Sequence, residues 1–166
     1  MRPRTLIISF ITIVIAFLLV VILTLALIPQ QTNPAFAAAT QFIEAAGKGQ
    51  DAAAFALLSP AMQAYVKANC PDGSVSGCLK AYTPPEWGAF QSGVFRRADP
   101  DGKYWNVDII ATYAQDKGAS GVCIYQRMQQ DEAGQWRVYG WAGFIACGDP
   151  RSRTMAANSD TPNRAP

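Results

Sequence analysis

The most apolar stretch of the chain is Leu6 to Ile28, LIISFITIVIAFLLVVILTLALI, which carries no charged residue. As a helix it would extend roughly 34 Å, against a bilayer core of about 30 Å. Arg2 and Arg4 precede it, and no Lys or Arg falls in the dozen residues after it, so the positive-inside rule places residues 1–5 in the cytoplasm. The expectation is a transmembrane helix over 6–28 and a single-pass protein of the cell membrane, with everything beyond it extracytoplasmic. Ala35-Phe36-Ala37 has the small-x-small pattern of a cleavage site. The apolar run, however, exceeds the roughly 7 to 15 residues of a signal peptide, so an uncleaved signal anchor is expected.

After a 29–33 linker the period changes to that of amphipathic helices. Asn33-Pro34 has the cap-then-proline order of a helix start, and Phe36, Ala39, Ile43 and Ala46 fall on one face until Gly47 and Gly49. Asp51 to Leu58 reads as a second short helix, and Ser59-Pro60 opens a third that Asn69 closes. Cys70 to Trp87, rich in Gly and Pro, reads as a loop with at most a helical turn over 79–82.

From there the pattern is β. Ala89 to Arg97, Tyr104 to Tyr113, Gly121 to Gln130 and Gln135 to Ile145 are rich in Val, Ile and aromatic residues. Asp99-Pro100-Asp101-Gly102, Asp116-Lys117-Gly118 and Asp131-Glu132-Ala133-Gly134 separate them as turns. The fold class expected is α+β: three helices packed on a four-stranded antiparallel meander over 34–147, followed by a disordered tail over 148–166 with almost no large apolar side chains.

Composition narrows the chemistry. The chain has no histidine and a net charge of +2 without a long run of either sign. The first fact excludes Ser-His-Asp and Cys-His catalysis; the second gives no support for a nucleic-acid groove. No metal site and no cofactor are expected. The four cysteines, Cys70, Cys78, Cys123 and Cys147, contain no C-x-x-C spacing, and outside the cytosol such an even set reads as disulfides. Of the three pairings, Cys70–Cys78 with Cys123–Cys147 is favoured, because the first staples a flexible Pro71-to-Gly77 loop. On a loop-entropy model the two bridges contribute about 2.6 and 3.5 kcal/mol.

The order of elements, with Ala38-Ala39-Thr40-Gln41-Phe42 in the first helix, AAFALLSP over 53–60, and Gly134-Gln135-Trp136-Arg137-Val138 with Gly140-Trp141 in the last strand, resembles the nuclear transport factor 2-like superfamily. The resemblance covers about Pro34 to Ala146. It implies a cone in which a curved sheet wraps the first helix, and a family that holds isomerases and cyclases beside many non-catalytic domains.

Asp108 lies within the apolar run Trp105 to Ile110. If the turn centres on Lys117 and Gly118, Asp108 faces Arg127 and forms a cross-strand ion pair. The alternative is a general base inside the cone, assisted by Tyr125 or Tyr139. Tyr125, Arg127, Tyr139 and Trp141 combine apolar bodies with polar tips and a guanidinium, a set suited to an amphipathic ligand, or else to packing on the sheet. Trp87, Tyr82 and Pro84-Pro85 read as a partner patch or a lid. The function expected is a membrane-anchored extracytoplasmic binding or assembly domain without catalysis, with an envelope protein or a small apolar ligand as partner and homodimerisation left open. The alternatives are an isomerase- or cyclase-type enzyme using Asp108, or a structural subunit of a larger envelope complex.

Overall fold

The computed structural model describes residues 12–22 and 33–153. They fall in two units, one ending at Asn33 and one starting at Pro34. In the first, 12–22 is helical and leaves Ile13, Phe17 and Ile22 exposed. The expected transmembrane helix is not found: among the described residues no helix is long and apolar enough to cross a membrane. The described helical stretch has only about half the length a span needs, and the rest of 6–28, like residues 1–5 and 29–32, lies outside the described residues.

The second unit begins with α1 (Pro34–Gly47), whose face of Phe36, Ala39, Phe42, Ile43 and Ala46 is buried. Next come α2 (Asp51–Ala56) and α3 (Pro60–Asn69). Asp51 does not cap its own helix. Its carboxylate accepts from the Ser76 amide and hydroxyl, each at 2.8 Å. Leu58, expected inside α2, instead bridges to Val138 beyond the helix end. Ser59 caps α3 by accepting from the Met62 amide at 3.3 Å.

The stretch expected to be mainly loop holds a further helix, α4 (Val75–Tyr82). Ser74 caps it through the Gly77 amide at 3.0 Å, the Cys70–Cys78 disulfide ties it to the end of α3, and Asp51 holds its first turn. These three anchors outweigh the weak helix propensity of Ser76 and Gly77.

The strands β1 (Phe90–Asp101), β2 (Tyr104–Tyr113), β3 (Val122–Gln130) and β4 (Trp136–Ala146) pair in sequence order, all antiparallel. The Asp99-to-Gly102 turn expected from sequence is mostly strand, β1 running on to Asp101. The Asp116-Lys117-Gly118 turn is a one-turn helix, α5 (Asp116–Ala119). One sheet face turns Val107, Ile109, Ala111, Ile124, Met128, Val138 and Trp141 into the core shared with α1. Phe36 stacks on Phe95 with ring centroids 4.7 Å apart, and Phe42 meets Trp141 at 4.9 Å.

The tail corrects a further expectation. Pro150–Arg153 forms a 3-10 turn whose Ser152 is fully buried, so the chain stays ordered past Cys147. Residues 154–166 lie outside the described residues.

Candidate functional site

Alternation along β2 and β3 sends every second side chain to the sheet face opposite the core. That face carries Asn106, Asp108, Cys123, Tyr125 and Arg127, and all but Arg127 are buried. A buried polar face needs partners for its polar atoms, and they come from β1 and from the Pro150–Arg153 turn.

The β1–β2 register jumps between Phe95 and Arg97. Phe95 faces the core, Arg97 the polar side, and the extra residue of the bulge, Arg96, reaches the polar side as well. Arg97 Nε donates to Asp108 Oδ2 at 2.7 Å. Arg97 Nη2 and Arg96 Nη1 both donate to the Ser152 carbonyl, at 2.6 and 3.1 Å, and Arg96 Nη1 also lies 2.9 Å from Cys123 Sγ. Ser152 Oγ donates to the Cys147 carbonyl at 2.8 Å, next to the Cys123–Cys147 disulfide.

The expected Asp108–Arg127 pair is therefore absent. Asp108 faces Tyr125, two residues from the expected register, because α5 takes up the residues assigned to the turn. A shift of two preserves the face and changes the partner. Burial pushes the Asp108 carboxyl up, the neighbouring Arg97 and Arg96 oppose it, and Asp99 adds to it; Oδ1 finds no partner among the described residues.

Arg127 donates instead to Asp101 Oδ2 at 2.9 Å. Its guanidinium lies 3.9 Å from the Tyr104 ring centroid, and Tyr139 meets the same ring edge-on at 6.2 Å. Tyr125 donates its hydroxyl to Asn106 Oδ1 at 2.6 Å; burial, against the pull of Arg127, pushes that hydroxyl up to about 12.

Of the four expected ligand residues, Tyr125, Arg127 and Tyr139 share the polar face and Trp141 is on the other side, in the core. Asp108 likewise lies on the face turned away from α1, outside the space between sheet and helices where a cone base would work. Of the patch read as a partner surface or a lid, Trp87 is a core contact, buried against Tyr113 at 5.7 Å between centroids, whereas Tyr82 is partly buried against Phe144 and Pro85 is exposed. Among the described residues no group of three or more His, Cys, Asp or Glu side chains is placed to hold a metal.

Sequence reading missed Arg96, Arg97, Tyr104 and Ser152. The signal for the first two was present: adjacent arginines within a strand fit a polar face only where a bulge brings them to one side. Comparisons with protein-family models, curated proteins and solved structures find no match for the chain.

Proposed function

We propose that this chain is a non-catalytic binding domain that works in an oxidising compartment. The observation that carries the reading is the engagement of its acid–base groups. Asp108 is paired with Arg97 and Tyr125 is bonded to Asn106, so neither is presented to a substrate. Two disulfides support the compartment, and the order of helices followed by an antiparallel meander is compatible with the nuclear transport factor 2-like resemblance.

The partly exposed group of Tyr104, Arg127 and Tyr139 is the contact surface proposed. Aromatic rings around a guanidinium offer apolar area at low entropic cost together with a fork for a carboxylate or phosphate. The test is native mass spectrometry of the full chain purified oxidised from an exporting host. A bound mass retained by the wild type and lost in Arg127→Ala, with both disulfides intact, is the expected result. Identical bare spectra for both proteins would overturn the assignment of this surface.

The unpartnered Oδ1 and the raised carboxyl of Asp108 favour a second reading, an isomerase-type base. It requires that Asp108→Asn abolish a turnover while leaving unfolding unchanged.

A further inference from the structure

The two disulfides differ in their surroundings. Cys70 and Cys78 are both buried, and the polar group beside Cys78 Sγ is the neutral Tyr82 hydroxyl, 3.7 Å away. Cys123 is fully buried while Cys147 is half-buried, and the Arg96 guanidinium approaches Cys123 Sγ to 2.9 Å. A disulfide sulfur is a weak acceptor, whereas a thiolate is a charged one. The Arg96 contact therefore favours the state in which Cys123 carries negative charge.

Thiol–disulfide exchange needs access to one sulfur and a good leaving group in the other. Here the half-buried cysteine and the cysteine whose charged form Arg96 favours are the two halves of one bond. We propose that Cys123–Cys147 is a thiol-exchange site for an external dithiol. The thiolate of the dithiol attacks Cys147 Sγ, the bond between the two cysteines breaks, and Cys123 leaves as a thiolate held by Arg96. The second thiol of the dithiol, after losing its proton to solvent, attacks its own partner sulfur and expels Cys147, which takes up a proton. The dithiol is oxidised by two electrons to its disulfide, and the domain disulfide is reduced by the same two.

Opening has a structural consequence. The Ser152 carbonyl is held by Arg96 and Arg97 in the turn that Cys147 tethers. Loss of the tether, and diversion of Arg96 to the new thiolate, loosens that turn above the Arg97–Asp108 pair. The redox state of Cys123–Cys147 thereby governs how well the polar face is covered.

The experiment treats the oxidised full chain with limiting dithiothreitol, quenches by alkylation, and follows each disulfide separately by peptide mass mapping. Cys123–Cys147 is expected to open first, and glutathione used in place of the dithiol is expected to be trapped on Cys147. Arg96→Gln is expected to slow that opening roughly three- to tenfold relative to Cys70–Cys78, because the departing thiolate loses its cationic partner, with Arg96→Lys restoring part of it. A variant that merely weakens the fold speeds both openings and does not lower their ratio in this way. Earlier opening of Cys70–Cys78, trapping on Cys123, or an unchanged rate ratio in Arg96→Gln would each overturn the proposal.

Discussion

Arg97 and Asp108 face each other across the β1–β2 hairpin with Nε 2.7 Å from Oδ2, and their environments differ: the arginine side chain is 35% exposed and the aspartate 0%. The pair is thus open to water at one end only. Removing the arginine strands a buried carboxylate, whereas neutralising the carboxylate leaves a guanidinium that can still reach solvent.

Arg97→Ala is accordingly expected to cost about 2–4 kcal/mol of unfolding free energy at neutral pH, somewhat below the loss from breaking a fully enclosed pair. Asp108→Asn is expected to cost less than half of that. Equilibrium urea unfolding of both variants checks the asymmetry.

The pH dependence follows from the direction of the Asp108 shift. Its carboxyl is raised in the folded state by burial, against Arg97 and Arg96, so between the ordinary carboxylate range and the raised value the folded state binds the proton more firmly than the unfolded one. The contribution of this group to stability is therefore fully present below that window and is lost as pH rises through the raised value. Asp108→Asn is expected to remove this slope from the stability–pH curve.

Glu44 gives the opposite sign. Burial raises its carboxyl, but Lys48 and the Gly93 amide together pull it below its ordinary value. Its stabilising contribution is present above the ordinary range and is lost as pH falls through the lowered value. Because the Glu44 carboxylate accepts from Gly93 on the edge strand β1, Glu44→Ala is expected to cost about 1–2 kcal/mol. Hydrogen exchange at the Gly93 amide, faster in the variant, checks the cause.

Gly118 sits where a Cβ would come within 2.7 Å of Tyr113 Cβ and 2.8 Å of Trp87 Cβ. Gly118→Ala is therefore expected to lose about 1–3 kcal/mol through overpacking and to shift Trp87 fluorescence. Gly134, at φ +75° with nothing within 4 Å of its Cβ position, separates the two costs. Alanine there brings backbone strain without a clash and should leave the fluorescence unchanged.

How much of this was legible depended on whether the signal was local. The bounds of β2, the Ser59-Pro60 start of α3 and the Asp131-to-Gly134 turn all follow from nearest neighbours in sequence. The partner of Asp108 does not. It depends on α5 replacing a tight turn and on the bulge at Arg96, both of which shift register without changing the hydrophobic pattern. α4 was hidden for a related reason: two of its three anchors, Asp51 and Cys70, belong to other elements. The turn at Ser152 carries no apolar signal because arginines hold it by its backbone carbonyl. The helix expected over 6–28 was inferred from hydropathy, and of that stretch only 12–22 falls within the described residues, where no helix is long and apolar enough to cross a membrane.

The claim that the Arg97–Asp108 pair of the polar sheet face is structural is tested most directly by the unfolding free energy of Arg97→Ala measured from the acidic carboxylate range to neutrality. A locked, buried Asp108 predicts a small loss in acid, where the carboxyl is protonated, growing as pH rises and the stranded charge must be held. A loss that is small at every pH would contradict the account, and would mean that Asp108 reaches solvent and is free to act as a base.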